Sequence, residues 1–479
     1  MAQELAAMTL GGFKELPGLA ALLHEHGLDT STAEEKAALF SEAADVLIAA
    51  GSPADTPAKG FFVPGRIEVM GKHTDYAGGR SLLAAISKAF CIVTVDREDA
   101  QCRFFSTAPG ADEVTLPMSP DLEPRQGGHW TNYPGTALRR LSANFPGLLG
   151  VDVSIACDIP PASGMSTSSA IICAVFLAVN ARNNLRERPE FKANISSEEE
   201  LWEYLGCNEN GQSFKGLVGD KGVGSFGGSE DHTAIMSCSA GALNMFSYCP
   251  TRREAVVSWP AGYHFVIGVS GQVAEKTGDK MQDYNDASLL AKEATRVYSE
   301  STKAATPFPH LAAVCAAVNN DADVVRSAIT SYFAAGGEAQ FTEDELLVRF
   351  TQFFEESEQL VSAVATAIGA QDWGALGQAV ARSQELTTTH LQNQVDETVF
   401  LAKSGVECGA LASSAFGAGF GGSVWALVKS EDVAGFIPKW QEQYTVAFPE
   451  AAKTSTFFSM LPGPGAFQLK AAGSKKQKR

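Results

Sequence analysis

Three short stretches dense in glycine and small polar residues limit what this chain can fold into. They are Val63–Gly79, Ile159–Ala170 and Phe416–Ser423, and each adjoins a segment with strand or helix periodicity. Small residues let a backbone close around a ligand, and the 45 glycines among 479 residues supply many such places. A chain of this length is too long for one small core and comfortable for two α/β domains.

Apolar residues make up 45% and charged residues 19%, a globular composition. The net charge of −18 disfavours a nucleic-acid groove or an anionic membrane as partner. It leaves room for an anionic small ligand in a locally positive pocket. The longest strictly apolar run, Ala170–Val179, is ten residues, where a membrane span needs roughly 18. Met1–Glu4 carries no cationic start and no cleavable apolar core, so no secretory signal is expected. Nine scattered cysteines without a Cys-x-x-Cys pair point to reduced, packed thiols. These features lead to the expectation of a cytoplasmic protein with no obligate protein partner.

Residues 1–59 are expected to be an N-terminal helical extension, with Leu19, Leu22 and Leu23 on one face and a second apolar stripe through Leu39, Ala43 and Leu47. Strands are expected at Phe61–Val63, Ala89–Val95, Val151–Ile155, His264–Val269, Ser423–Val428 and Thr454–Met460. Helices are expected at Tyr133–Leu141, Ala170–Asn180 and Val433–Tyr444, with a largely helical segment over Ala287–Thr389. The expected division is 1–59, 60–260, 261–465 and a disordered basic tail at 466–479.

The first glycine-bracketed stretch packs Arg66, Glu68, Lys72, His73 and Asp75 together. That set suits hydrogen bonding to a polyhydroxylated ligand, and equally a solvated loop with surface ion pairs. The second stretch opens a helix, where N–H groups and the helix dipole attract negative charge. Thr167, Ser168 and Ser169 offer hydroxyls to a phosphate or Mg²⁺, or simply cap the helix. A Walker A ending is absent, and in the near miss Gly271–Thr277 Glu275 replaces the needed glycine. Gly417, Gly419 and Gly422 match a dinucleotide fingerprint, but the loop runs into a strand rather than a helix, which excludes a nicotinamide enzyme. Gly227–His232 adds carboxylates and an imidazole, suited to acid–base work or to a turn or cap.

Together these stretches resemble the GHMP kinases, and within them the galactokinases. Gly65-Arg66…Gly71-Lys72-His73-Thr74-Asp75-Tyr76…Gly78-Gly79 is similar to the galactokinase signature, Pro161…Gly164-Met165…Ser168-Ser169-Ala170 to the GHMP phosphate loop, and Gly417–Gly422 to the third GHMP motif. Gly228–His232 resembles the segment around the catalytic Asp, and Gln282–Asn285 the sugar-contacting Tyr segment. The resemblance spans residues 60–460 and implies an α+β, two-domain fold with the active site in the interdomain cleft. It implies ATP-dependent phosphorylation of a sugar at its anomeric hydroxyl. Arg66 and Asp231 would be catalytic. Glu68, Lys72, His73, Asp75, Gly228 and Tyr284 would bind sugar. Pro161, Gly164, Met165, Ser166, Thr167, Ser168 and Ser169 would bind ATP, and Ser168 with Glu209 would hold Mg²⁺.

Four departures stand out. Lys72 replaces a Glu of the family pattern, Glu68 replaces an Asn, Glu230-Asp231-His232 replaces Met-Asp-Gln, and Gly211–Gly224 adds residues between Glu209 and Asp231. Lys72 donates and cannot accept, which suits a carboxylate at C6. A uronic-acid kinase is thus one alternative, and a Glu–Lys exchange of roles in an ordinary hexose pocket is the other. A non-catalytic sugar and ATP sensor on the same fold is the alternative of another class, against which stand the intact phosphate loop, Arg66 and Asp231.

Overall fold

The structure, a computed structural model, describes residues 8–108, 110–125, 129–273 and 281–470. The first residues of the N-terminal extension, part of the Gly271–Thr277 stretch and the tail beyond residue 470 lie outside the described residues.

The strands are β1 (Ala58–Met70), β2 (Arg80–Asp96), β3 (Gln101–Ser106), β4 (Val114–Pro117), β5 (Val151–Cys157), β6 (Ala242–Ser247), β7 (Arg252–Ser258), β8 (Tyr263–Val269), β9 (Ala412–Phe416), β10 (Ser423–Lys429), β11 (Thr456–Met460) and β12 (Phe467–Leu469). They form two sheets. The larger runs β12-β1-β2-β5-β3-β4, with β6 paired to β2 and β7. The smaller runs β11-β8-β10-β9 and is antiparallel throughout. The α+β class expected from the sequence is the observed one.

Alternation along the strands sorts the core. Phe61 and Val63 of β1, with Phe90 and Ile92 of β2, face a layer containing Ile172, Phe176 and Val179 of helix Thr167–Asn183. Phe62, Cys91 and Val93 point the other way, onto Leu23, Phe40, Ala44 and Leu47 of the helices Leu16–Glu25 and Thr30–Ala49. The N-terminal extension is thus the cover of one face of the sheet. Asp29 caps its longer helix by accepting from Thr32 N at 2.9 Å. Lys36 of that helix is wholly buried and paired with Asp158.

Two expected segments differ from the outcome. β1 extends past Val63 to Met70, so half of the first glycine-rich stretch is strand. Register shifts at Pro64/Arg66 and Glu68/Met70 let the strand carry a proline and still pair with β2. Within the tail expected from residue 466, Phe467–Leu469 instead pair with β1 as β12.

The helical segment contains Met281–Ser301, Ala322–Ala334, Glu343–Phe353, Val361–Ala370 and Trp373–Leu386, with π-helical turns at Phe354–Leu360 and Thr387–Leu391. No helix among the described residues is long and apolar enough to cross a membrane. All nine cysteines are free thiols.

Candidate active site

The end of β1, the start of helix Glu230–Ser237, the end of helix Glu198–Asn210 and the Gly417–Ala418 turn converge on one pocket of about 510 Å³, its open mouth included. Arg66 lies at its floor, 2% exposed. Its guanidinium donates to Asp231 Oδ1 from Nε at 2.8 Å and approaches the same oxygen from Nη2 at 2.6 Å. Nη1 donates to Gly164 O at 2.6 Å. Burial works against the Arg66 charge, but Asp231, Glu230 and Glu68 outweigh it and raise its pKa, so it stays protonated. Asp231 stands in the first turn of its helix, where the dipole favours a carboxylate.

The helix expected from Ala170 starts at Thr167, so the hydroxyls of Thr167, Ser168 and Ser169 lie in its first turn. Ser166 precedes it with φ +58°, and its buried hydroxyl has no partner. Ser163 O accepts from Ser423 Oγ at 2.6 Å, and Met165 O from Arg66 N at 3.3 Å, so the loop is tied to both sheets. A Cβ on Gly65 would stand 2.8 Å from Met165 O, so strand and loop approach this closely only with glycine there. Pro161 is exposed at the outer side of the loop, Met165 is buried, and Ser168 is half-buried.

Ser169 Oγ donates to Glu209 Oε2 at 2.7 Å and lies 3.3 Å from Asp231 Oδ2. His232 Nε2 is 3.1 Å from the same Glu209 oxygen. The extra residues Gly211–Gly224 loop outward and return: Val223 N donates to Glu209 O at 2.9 Å, while Arg139 holds Asp220 at 2.6 Å and Arg140 holds Gln212 O at 2.6 Å. The insertion therefore leaves Glu209 beside Asp231.

Glu68, His73, Asp75, Gly228 and Tyr284 line the pocket. Glu68 Oε2 accepts from Gly417 N at 3.0 Å, while its buried Oε1 has no partner. Burial pushes the Glu68 carboxyl up to about 7, against the pull of Lys72 and Arg66. Asp75 accepts from Tyr76 N at 2.8 Å and from Glu230 N at 3.1 Å, which anchors the helix that carries Asp231. Gly228 passes so close to the Asp75 carboxylate that a side chain there would collide with it. His73 sits at φ +57°, its ring between Tyr76 Oη at 3.0 Å and Ala418 O at 3.1 Å, and 5.4 Å from the Tyr284 ring.

Lys72 departs from this group. It does not line the pocket, and its ammonium donates to Ser383 at 2.9 Å. Its backbone is held by residues that no local motif signals. Glu356 Oε1 accepts from Gly71 N at 2.8 Å and Lys72 N at 3.3 Å, Gln352 donates to Lys72 O at 2.9 Å, and Arg349 to His73 O at 2.6 Å. These partners lie more than 270 residues further along the chain, on the helix Glu343–Phe353 and the π-helical turn after it.

The chain is similar to known proteins in sequence and in fold. Residues 51–94 match the family model for the galactokinase galactose-binding signature, 132–204 that for the GHMP kinase N-terminal domain, and 364–445 that for the GHMP kinase C-terminal region. The galactokinase of Streptomyces coelicolor is 23% identical over 410 residues, 85% of this chain and 93% of that protein. The galactokinase of Chloroflexus aurantiacus is 26% identical over 388 residues, 80% and 87% respectively. The crystal structure of Lactococcus lactis galactokinase with galactose shares the fold, with a TM-score of 0.69 at 21% identity, covering 90% of this chain and 98% of that one.

The chain therefore carries the galactose-binding signature and both GHMP kinase regions, a class of enzymes that use ATP. A loop tied to a buried Arg–Asp pair that lines the pocket suits phosphoryl transfer. Within that class it is a sugar kinase of the galactokinase type, transferring phosphate from ATP to a sugar hydroxyl.

Proposed function

We propose that this kinase phosphorylates the anomeric hydroxyl of galactose or a related sugar. The observation that carries the reading is the buried Arg66–Asp231 pair, joined to the phosphate loop at Gly164 O. Asp231 takes the proton of the hydroxyl as its oxygen attacks the γ-phosphorus. The bond from that phosphorus to the bridging oxygen breaks, and ADP leaves. Arg66 keeps Asp231 ionised and offsets charge on the transferring group. Glu68, His73, Asp75, Gly228 and Tyr284 hold the sugar. Gly164 to Ser169 hold the triphosphate.

Mg²⁺ fits this set. It takes oxygen donors and is commonly held by one or two carboxylates plus substrate phosphates. Glu209, beside the serine-lined helix start, is such a carboxylate, and Ser168 offers a hydroxyl. When bound, the ion supplies charge neutralisation at the phosphates.

Glu68 supplies the sugar acceptor that Lys72 cannot. With the Lys72 ammonium on Ser383, the uronic-acid alternative loses its anchor. The intact phosphate loop and the Arg66–Asp231 pair weigh against a sensor. Two catalytic domains meeting at the pocket, near residues 60–260 and 261–465, and action in the cytoplasm complete the proposal. The test is ADP release with ATP and Mg²⁺ over hexoses, pentoses and uronic acids. Turnover is expected with galactose or a related hexose. Turnover with none of them refutes the proposal.

A further inference from the structure

Two carboxylates face the pocket with oxygens that no donor engages. The Glu68 Oε1 atom is fully buried and without a hydrogen-bond partner. Glu230, 6% exposed, also lines the pocket, and its carboxylate meets no donor among the described residues. Nearby positive charge is already committed. Arg66 is engaged by Asp231 and Gly164 O, and the Lys72 ammonium by Ser383. Asp75, Glu209 and Asp231 complete a lining of five carboxylates around one guanidinium. Burial raises the pKa of Glu230, and Glu68 and Asp75 raise it further, so the pocket carries an uncompensated cost. A neutral hydroxyl can donate one hydrogen bond to this pair. An ammonium donates three and cancels a charge.

We propose that the preferred sugar is an amino hexose whose ammonium is anchored by Glu230 and the open oxygen of Glu68. The proposal rests on the sugar-kinase reading and narrows its substrate class. The experiment measures kcat/KM at pH 7.5, above the Glu68 pKa of about 7 and where much of each amine is still protonated, for galactose, 2-amino-2-deoxygalactose, 6-amino-6-deoxygalactose and the uncharged N-acetyl form of the 2-amino sugar. Wild type and Glu230→Gln are compared. In wild type, one of the amino sugars is expected to exceed galactose by about tenfold or more, with N-acetylation abolishing the gain. In Glu230→Gln the amino-sugar to galactose ratio is expected to fall by ~30-fold or more, as when one partner of a buried charge pair is lost. The ratio is taken on one preparation, so partial misfolding cancels, and the wild-type comparison stands if the variant does not fold. Galactose turned over better than both amino sugars overturns the inference and leaves the kinase reading intact. An unchanged ratio in Glu230→Gln also overturns it. Absence of turnover with every sugar sinks both.

Discussion

Replacing Asp231 in two ways separates its chemistry from its structural role. Asp231→Asn keeps an oxygen for Arg66, so the guanidinium retains an acceptor and the fold is expected to survive. What disappears is the base. General-base assistance is worth about 100-fold at the low end, so kcat should fall by that factor or more, or about 2.7 kcal/mol in the barrier. Asp231→Ala removes the acceptor as well. Arg66 is 2% exposed and directs two of its nitrogens at one Asp231 oxygen, keeping only Gly164 O after the change. Removing one partner of a buried pair costs about 3–5 kcal/mol. The remaining carbonyl bond places the expectation at the lower end, about 3 kcal/mol. The assays are ADP release at saturating ATP and sugar, and urea unfolding followed by circular dichroism. An Asp231→Asn enzyme within tenfold of wild-type kcat would refute the reasoning, as would an Asp231→Ala protein as stable as the Asn variant.

Ser169→Ala removes the hydroxyl shared by Glu209 and Asp231. kcat should drop by about 5- to 30-fold, with KM for ATP rising as well, and steady-state kinetics with varied ATP that show wild-type kcat would discard the shared role. Glu356→Ala frees Gly71 N and Lys72 N, so KM for sugar should rise about tenfold or more while KM for ATP holds, and equal changes in both would discard the assignment. Glu68 has a folded-state pKa of about 7, above its ordinary 4.5. Folding therefore takes up a proton in that window, and stability falls as the pH rises through it, by up to about 3 kcal/mol. Urea melts at pH 5 and 8 should show a larger loss in wild type than in Glu68→Gln, and equal losses would discard the Glu68 contribution.

Much of this was legible in the sequence because the signals were local. Alternation at Val151–Ile155 fixed β5, and the apolar run from Ala170 fixed the helix behind the phosphate loop. Arg66, Glu68, His73 and Asp75 lie close together in sequence and also in the pocket. The strand content of Gly65–Met70 was hidden because Pro64 and Gly65 mark turns in most settings, whereas here they sit at a bulge. Glu356, Gln352 and Arg349 were invisible because nothing in an ordinary helical pattern tells which polar residue will cap a loop far away in sequence. Lys72 misled for a related reason. Its place in the motif pointed to the sugar, and only tertiary packing supplied Ser383.

The pairing of β1 with β12 also sets an order of events during synthesis. Gly60 meets Leu469, roughly 400 residues later on the chain, the kind of distant contact that slows folding. At about 5–20 residues per second the ribosome needs on the order of 20–80 s to make what lies between. Through that interval the outer edge of β1 is an open template for pairing with another chain. The helices that cover its face are made before it, so the nascent sheet gains its apolar shield early and its edge strand last. Newly made chains should thus be most prone to association along the β1 edge, and a peptide spanning Phe467–Leu469 added during translation would compete for it.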